Sequence, residues 1–122
     1  MTVATISLFR PNDLLAPAAA IPVAEPLCEP VSQVRSVSIP GAGASQHGVW
    51  HCTPGIWRRQ VVQAEFCHFL SGEAIFRPDK GEPVHITEGA AVYFPPKSSG
   101  TWEILRDSQK IFIVFEEAEA AR

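Results

Sequence analysis

Glu65 is the residue of this chain best placed to do chemistry. It leads an alternating run, EFCHFLSG, over residues 65 to 72. In a strand, Glu65, Cys67 and Phe69 fall on one face, and Phe66, His68 and Leu70 on the other. A carboxylate sharing the face of a Cys and a Phe points toward a core. There it must be paired with a cation, ligated to a metal or protonated, because a bare buried carboxylate is too costly. Cys67 lies on the same face. A nucleophilic thiol needs a base or cation beside it, whereas a small buried hydrophobe is the ordinary use of a free Cys. Of the four His residues, His47 and His51 share a strand face but sit well apart along it, at about 3.3 Å per residue. His68 alternates away from Glu65, and His85 falls on a later hairpin. Only His51 could join Glu65 on a metal. Trp50, Trp57 and Trp102 serve as core packing or as the wall of a pocket, with Trp50 and Trp102 the candidates for the wall.

The rest of the composition sets bounds. The chain has 122 residues, enough for one domain with a real core, and 46% of them are hydrophobic. Net charge is −3 with no basic cluster, which argues against a nucleic-acid partner. Cys28, Cys52 and Cys67 show no CxxC spacing, so free thiols in a reducing compartment are expected. The Ala/Pro run at 14 to 24 is broken by Pro17 and Pro22, too interrupted for a signal core or a membrane span. A cytoplasmic location follows as the expectation.

The elements that would position Glu65 are short strands. Residues 2 to 9 read as a first strand. Five prolines between 11 and 30 leave room for an extended arm with one helical turn near 12 to 16. Strand-like segments then recur at 31–39, 47–52, 56–62, 65–70, 73–77, 83–86, 90–94, 101–105 and 110–116. Turn signals separate them, including Gly72 and the Arg106-Asp107-Ser108 break. Such spacing predicts an all-β sandwich or barrel. The organisation expected is a strand and Pro-rich arm over 1–30, a barrel over 31–116 and a tail, frayed or helical, over 117–122.

Two spacings carry a resemblance. Glu65 and Gly72 with six residues between them match the end of the first cupin motif, and Gly89 and Pro95 with five residues between them match the start of the second. With GVWHCTPG (48–55), EFC (65–67) and GTWE (100–103), the chain resembles the cupin subgroup named for (S)-ureidoglycine aminohydrolase. The resemblance covers about residues 47 to 115. It implies a double-stranded β-helix, the RmlC-like jelly-roll barrel, with a pocket at one mouth and a dimeric assembly. The family's usual metal ligands are two His before the Glu and a third after the second motif. The matching positions here hold Arg58 and Gln60, or Arg59 and Val61 if the register shifts by one, and Gly100. Arg is always protonated and Gly has no donor side chain. No cofactor is therefore expected at this centre.

The reading that follows is a small-molecule-binding cupin. Its pocket is expected to be built from Trp50, Arg58, Gln60, Glu65, Cys67 and Trp102, with an Arg58–Glu65 pair at its polar centre, and to suit a small carboxylate or amide compound. Two alternatives stand beside it. One is a metal-dependent enzyme of ureide or other C–N hydrolysis, with Glu65 as general base. The other is a structural or interaction module whose pocket is filled by side chains. The apolar outward face at Phe66, His68 and Leu70, together with the aliphatics of the arm, predicts a homodimer.

Overall fold

The computed structural model describes residues 4–116. Among the described residues there are one short helix, α1 (Pro11–Leu15), and eight strands: β1 (Ile21–Pro22), β2 (Gln33–Pro40), β3 (Gln46–Cys52), β4 (Gly55–Val61), β5 (Glu65–Pro78), β6 (Val84–Thr87), β7 (Ala91–Phe94) and β8 (Ser98–Val114). The helical turn forms where expected, with Pro11 at its start, where its missing N–H costs nothing. Residues 4–10, read from sequence as part of a first strand, carry no regular structure. The tail expected over 117–122 lies outside the described residues.

The two longest strands make the spine. β5 and β8 run antiparallel along each other, from Glu65 opposite Val114 to Pro78 opposite Gly100. Each takes two partners in succession on its other edge. β3 lies along the C-terminal half of β8 and β4 along its N-terminal half. β7 lies along residues 65–68 of β5 and β6 along residues 73–76. β2 and then β1 extend the flank beyond β3.

The double-stranded β-helix expected as a closed barrel is not what forms. The hydrogen-bonded path β1-β2-β3-β8-β5-β6 is open, with β4 and β7 attached to the spine beside it. The flank on β8 and the flank on β5 do not pair with one another among the described residues. The free side of β4 is instead met by the arm: Leu27 N–H donates to the Ile56 carbonyl (2.9 Å) and Arg58 N–H to the Glu25 carbonyl (3.0 Å). These bonds satisfy an edge that would otherwise present open backbone groups.

Two expected breaks are absent, and one device explains both. Gly72 does not turn the chain. It sits in the middle of β5, within the register shifts between Phe69 and Ala74. Its φ is +102°, and a Cβ there would lie 2.5 Å from the Ser108 Cα. Only Gly tolerates both the conformation and the approach. Across from it, Arg106-Asp107-Ser108 is likewise the interior of β8. The bulged stretch bends both strands without ending them.

The core lies along the spine. Trp102 (β8) packs edge-on to Phe76 with centroids 5.0 Å apart, with Phe94 at 5.9 Å and Phe69 at 6.2 Å. Cys52, Cys67, Ile86 and Ile104 fill in around them. Losing a buried aromatic of this kind costs about 3–5 kcal/mol.

Candidate ligand pocket

The alternation in β5 places Glu65, Cys67 and Phe69 inside, as its sequence predicts, with Phe66 exposed and His68 and Leu70 partly so. Glu65 is buried, and its partner is a residue that sequence reasoning missed. Lys110 Nζ donates to Glu65 Oε2 at 2.9 Å, and both side chains are only 6% exposed. Lys110 lies on a row of directly opposed residues crossing four strands: Ser36 on β2, Trp50 on β3, Lys110 on β8 and Phe69 on β5. Its ammonium sits 4.5 Å from the centre of the Trp50 ring, with Trp102 and Phe69 at 5.7 Å and Phe94 at 5.9 Å. An ammonium within about 6 Å of a ring face is attracted by the ring quadrupole. A carboxylate on one side and an indole on the other together offset the cost of taking Lys110 out of water.

The second cation is Arg59. Its guanidinium reaches Glu65 Oε1 at 3.6 Å from a half-exposed position. The expectation that Arg58 fills this role is corrected. Along β4, Gly55, Trp57 and Val61 are buried, so Arg59 shares their parity and Arg58 takes the opposite face. Arg58 turns away from Glu65 and grips Asp79 with two bonds, Nη1 to Oδ1 at 2.7 Å and Nη2 to Oδ2 at 2.8 Å. The hydrogen bond holds the Asp79 carboxyl below its ordinary value and raises Arg58 further above its own. Gln60, also expected inside, is exposed and borders a shallow groove beneath Val23–Glu25.

A cavity of about 120 Å³ remains at this centre, lined by Ser36, Trp50, Arg59, Glu65, Trp102 and Lys110 among others. Its size is that of roughly four waters at ~30 Å³ each. Trp50 and Trp102 both line this cavity. Cys67 is fully buried in the core and is not part of the lining. Burial pushes its thiol up to about 11, with the Lys110 charge only partly opposing. At neutral pH it is a packed thiol and not a nucleophile.

The donors at this centre do not fit a divalent metal. Both Glu65 oxygens face cations. Among the described residues no three of His, Cys, Asp and Glu gather into a group that could hold an ion. His51, the one His proposed to join Glu65, turns to Asp107 at 3.4 Å, and His85 contacts Glu73 at 2.6 Å. A ligand could not be restored at Gly100 either. A Cβ there would lie 2.4 Å from the Arg77 carbonyl and 2.7 Å from the Phe76 ring.

The strand plan and this centre define a class before any particular relative is considered: a small β domain of cupin type without the usual His ligands. The chain belongs to the EutQ-like cupin domain family, which matches residues 41–112. Among solved structures it is similar to the EutQ protein of Clostridium difficile, at 13% identity and TM-score 0.62 over 75% of this chain and 76% of that one. A protein from Rhizobium leguminosarum bv. viciae is similar at 15% identity and TM-score 0.69, over 92% of this chain and 98% of that one. A DUF861 family protein of Thermotoga maritima shares 22% identity at TM-score 0.54, over 55% of this chain and 76% of that one. At these identities the likeness is one of fold. No curated protein matches the sequence. No helix among the described residues is long and apolar enough to cross a membrane.

Proposed function

We propose that the protein binds a small monocarboxylate in the Glu65–Lys110 pocket without a metal. The observation that carries this is the charge balance: Lys110 and Arg59 bring two positive charges to one carboxylate in a cavity of 120 Å³ under an indole. One further negative charge completes the set. Glu65 is the only side chain among the described residues that accepts a hydrogen bond from Lys110, and an ammonium carries three donors. Charge-assisted bonds to a carboxylate would use the others. Trp50 supplies the readout. Titration with straight-chain monocarboxylates from formate to butyrate should change Trp fluorescence saturably for the shortest members and fail as the chain outgrows the cavity. Arg59→Gln should weaken the response at least tenfold. A flat titration for every acid in the series would sink the proposal.

Metal-dependent hydrolysis is less well supported, because Lys110 and Arg59 stand where a metal would have to meet Glu65. The narrower placement among (S)-ureidoglycine aminohydrolase-like cupins rests on GVWHCTPG, EFC and GTWE and stays with that weaker reading. A structural module is favoured by one observation, the filling of the interior by Trp102 and Phe69; the same flat titration would support it. With Cys28, Cys52 and Cys67 all unpaired, a reducing, cytoplasmic setting suits the protein.

A homodimer is part of this proposal. Phe66 and Ile113 are each about 40% exposed and border an apolar groove with His68, Ile111 and Phe9. Beside it, residues 4–10 carry no regular structure, with Ile6 95% exposed. A second copy would cover both surfaces. Light scattering at micromolar concentration should give twice the chain mass, and Phe66→Glu should halve it. A wild-type monomer under those conditions would contradict the assembly.

A further inference from the structure

A second opening lies on the other flank of the spine, among the end of β5, β6, β7 and the start of β8. It is a cleft of about 540 Å³, walled by Phe76, Val84, Val92 and Phe94, with Lys80 and Lys97 on its lining. That volume falls within the range of about 300–1,000 Å³ typical of small-molecule sites. Phe76 and Phe94 are buried core residues and belong to the rigid part of the domain. They give the cleft a fixed apolar floor.

The charge of the lining is one-sided. Neither Lys80 nor Lys97 makes an ion pair among the described residues. Asp79, the one acid on the lining, is already held by both prongs of Arg58. Glu82, in the same loop, does not line the cleft. The backbone adds an independent observation. Lys97 has φ +63°, the one non-Gly residue with positive φ among the described residues. Gly adopts that conformation freely and a lysine does not. Strain of this kind persists where the surroundings impose it and collects at ligand clamps. Here the Lys97 N–H donates to the Val62 carbonyl at 3.1 Å and pins the residue at the rim.

We propose that this cleft binds a medium-chain monocarboxylate, with its chain on Val84, Val92 and the Phe76–Phe94 floor and its carboxylate at Lys97 and Lys80. The site is separate from the Glu65 pocket and does not depend on it. An eight-carbon acid is too large for the 120 Å³ cavity, and formate has no chain to fill the cleft.

The test is an NMR titration of the full ¹⁵N-labelled chain with octanoate, kept below micelle-forming concentrations. Saturable shifts are expected at the amides of Val84, Val92, Lys97 and Ser99. Lys97→Gly removes the charge but suits the backbone, so it should weaken octanoate at least tenfold while the melting temperature holds or rises. Val84→Asp, on an exposed wall position, should abolish binding with the fold intact. Octanol binding as tightly as octanoate, or an unchanged affinity in Lys97→Gly, would overturn the proposal. So would octanoate shifts at the Trp50 indole instead of the cleft. A change in molecular mass on Val84→Asp would assign the cleft to a second copy of the chain and overturn it too.

Discussion

Two ion pairs in this domain have nearly the same contact distance and opposite surroundings. Lys110 meets Glu65 at 2.9 Å with both side chains buried. Arg58 meets Asp79 at 2.7 Å with side chains 36% and 49% exposed. The exposed pair has the better bond geometry, being bidentate where the buried one is single. Bond geometry nevertheless does not decide which pair matters more. Water and salt screen the Arg58–Asp79 attraction and can replace either partner's bonds. Nothing replaces Glu65 for Lys110 except the Trp50 face or a bound anion. The buried pair therefore makes the interior dependent on its own partners, and that dependence is what opens the pocket to a ligand. The exposed pair ties the β5–β6 loop to β4 and little else.

The sharpest way to break the contrast is to remove Glu65. Glu65→Gln leaves the Lys110 ammonium buried without a counter-charge, and loss of one partner of a buried pair costs about 3–5 kcal/mol. Replacing Lys110 by Met in the same chain should restore most of that loss, because no charge is then left to solvate. Urea unfolding of the two single variants and the double variant gives the coupling directly. A Glu65→Gln chain as stable as wild type would mean that water reaches the pair freely, and the comparison would collapse. The same cycle run between Arg58 and Glu65 should return no coupling, since Arg58 faces the other way.

How far the sequence discloses this arrangement depends on whether parity can be carried along a strand. In β5 the run from Glu65 to Phe69 alternates without interruption, so its inside face is legible. In β4 the two arginines are adjacent, and a motif position borrowed from the family points to Arg58. Trp57 and Val61 give the correct answer locally: two bulky apolar residues an even number apart mark the inward face, and Arg59 lies between them. Lys110 is invisible for a different reason. Arg106-Asp107-Ser108 reads as a turn, which severs 110–114 from the Trp102 face and leaves no parity to transfer. In the structure β8 is continuous, and Trp102, Ile104, Ser108 and Lys110 are all buried. The bulge at Gly72 hides in the same way, because a Gly with φ of +102° inside a bent strand and a Gly in a turn look identical in sequence. Closure of the sheet is not legible at all. It depends on whether β4 meets the β6–β7 flank, and no residue pattern along either strand specifies that meeting. The family spacings point to a cupin core over about 47–115, overlapping the 41–112 that the family matches, but do not specify how its edges end.

The smallest expected effect belongs to the exposed pair, and its pH dependence gives it a distinct signature. Arg58 depresses the Asp79 carboxyl through their hydrogen bond. A group with a lowered folded pKa contributes stability that is fully present above its unfolded value, about 3.9 for Asp, and is lost as pH falls through the folded value. Asp79→Asn should therefore leave the wild-type and variant melting temperatures separated slightly at pH 7 and converging as pH falls through the lowered Asp79 value. Raising the ionic strength from 0.01 M to 1 M shortens the screening length from about 30 Å to about 3 Å and should close most of the pH 7 gap. The Glu65–Lys110 cycle, repeated at the same two salt concentrations, should change less, because both side chains are only 6% exposed and a buried pair is screened far less than an exposed one. Equal salt sensitivity of the two pairs would show that the Glu65 pocket is as open to solvent as the Asp79 loop, and would remove the physical basis for treating it as a binding site.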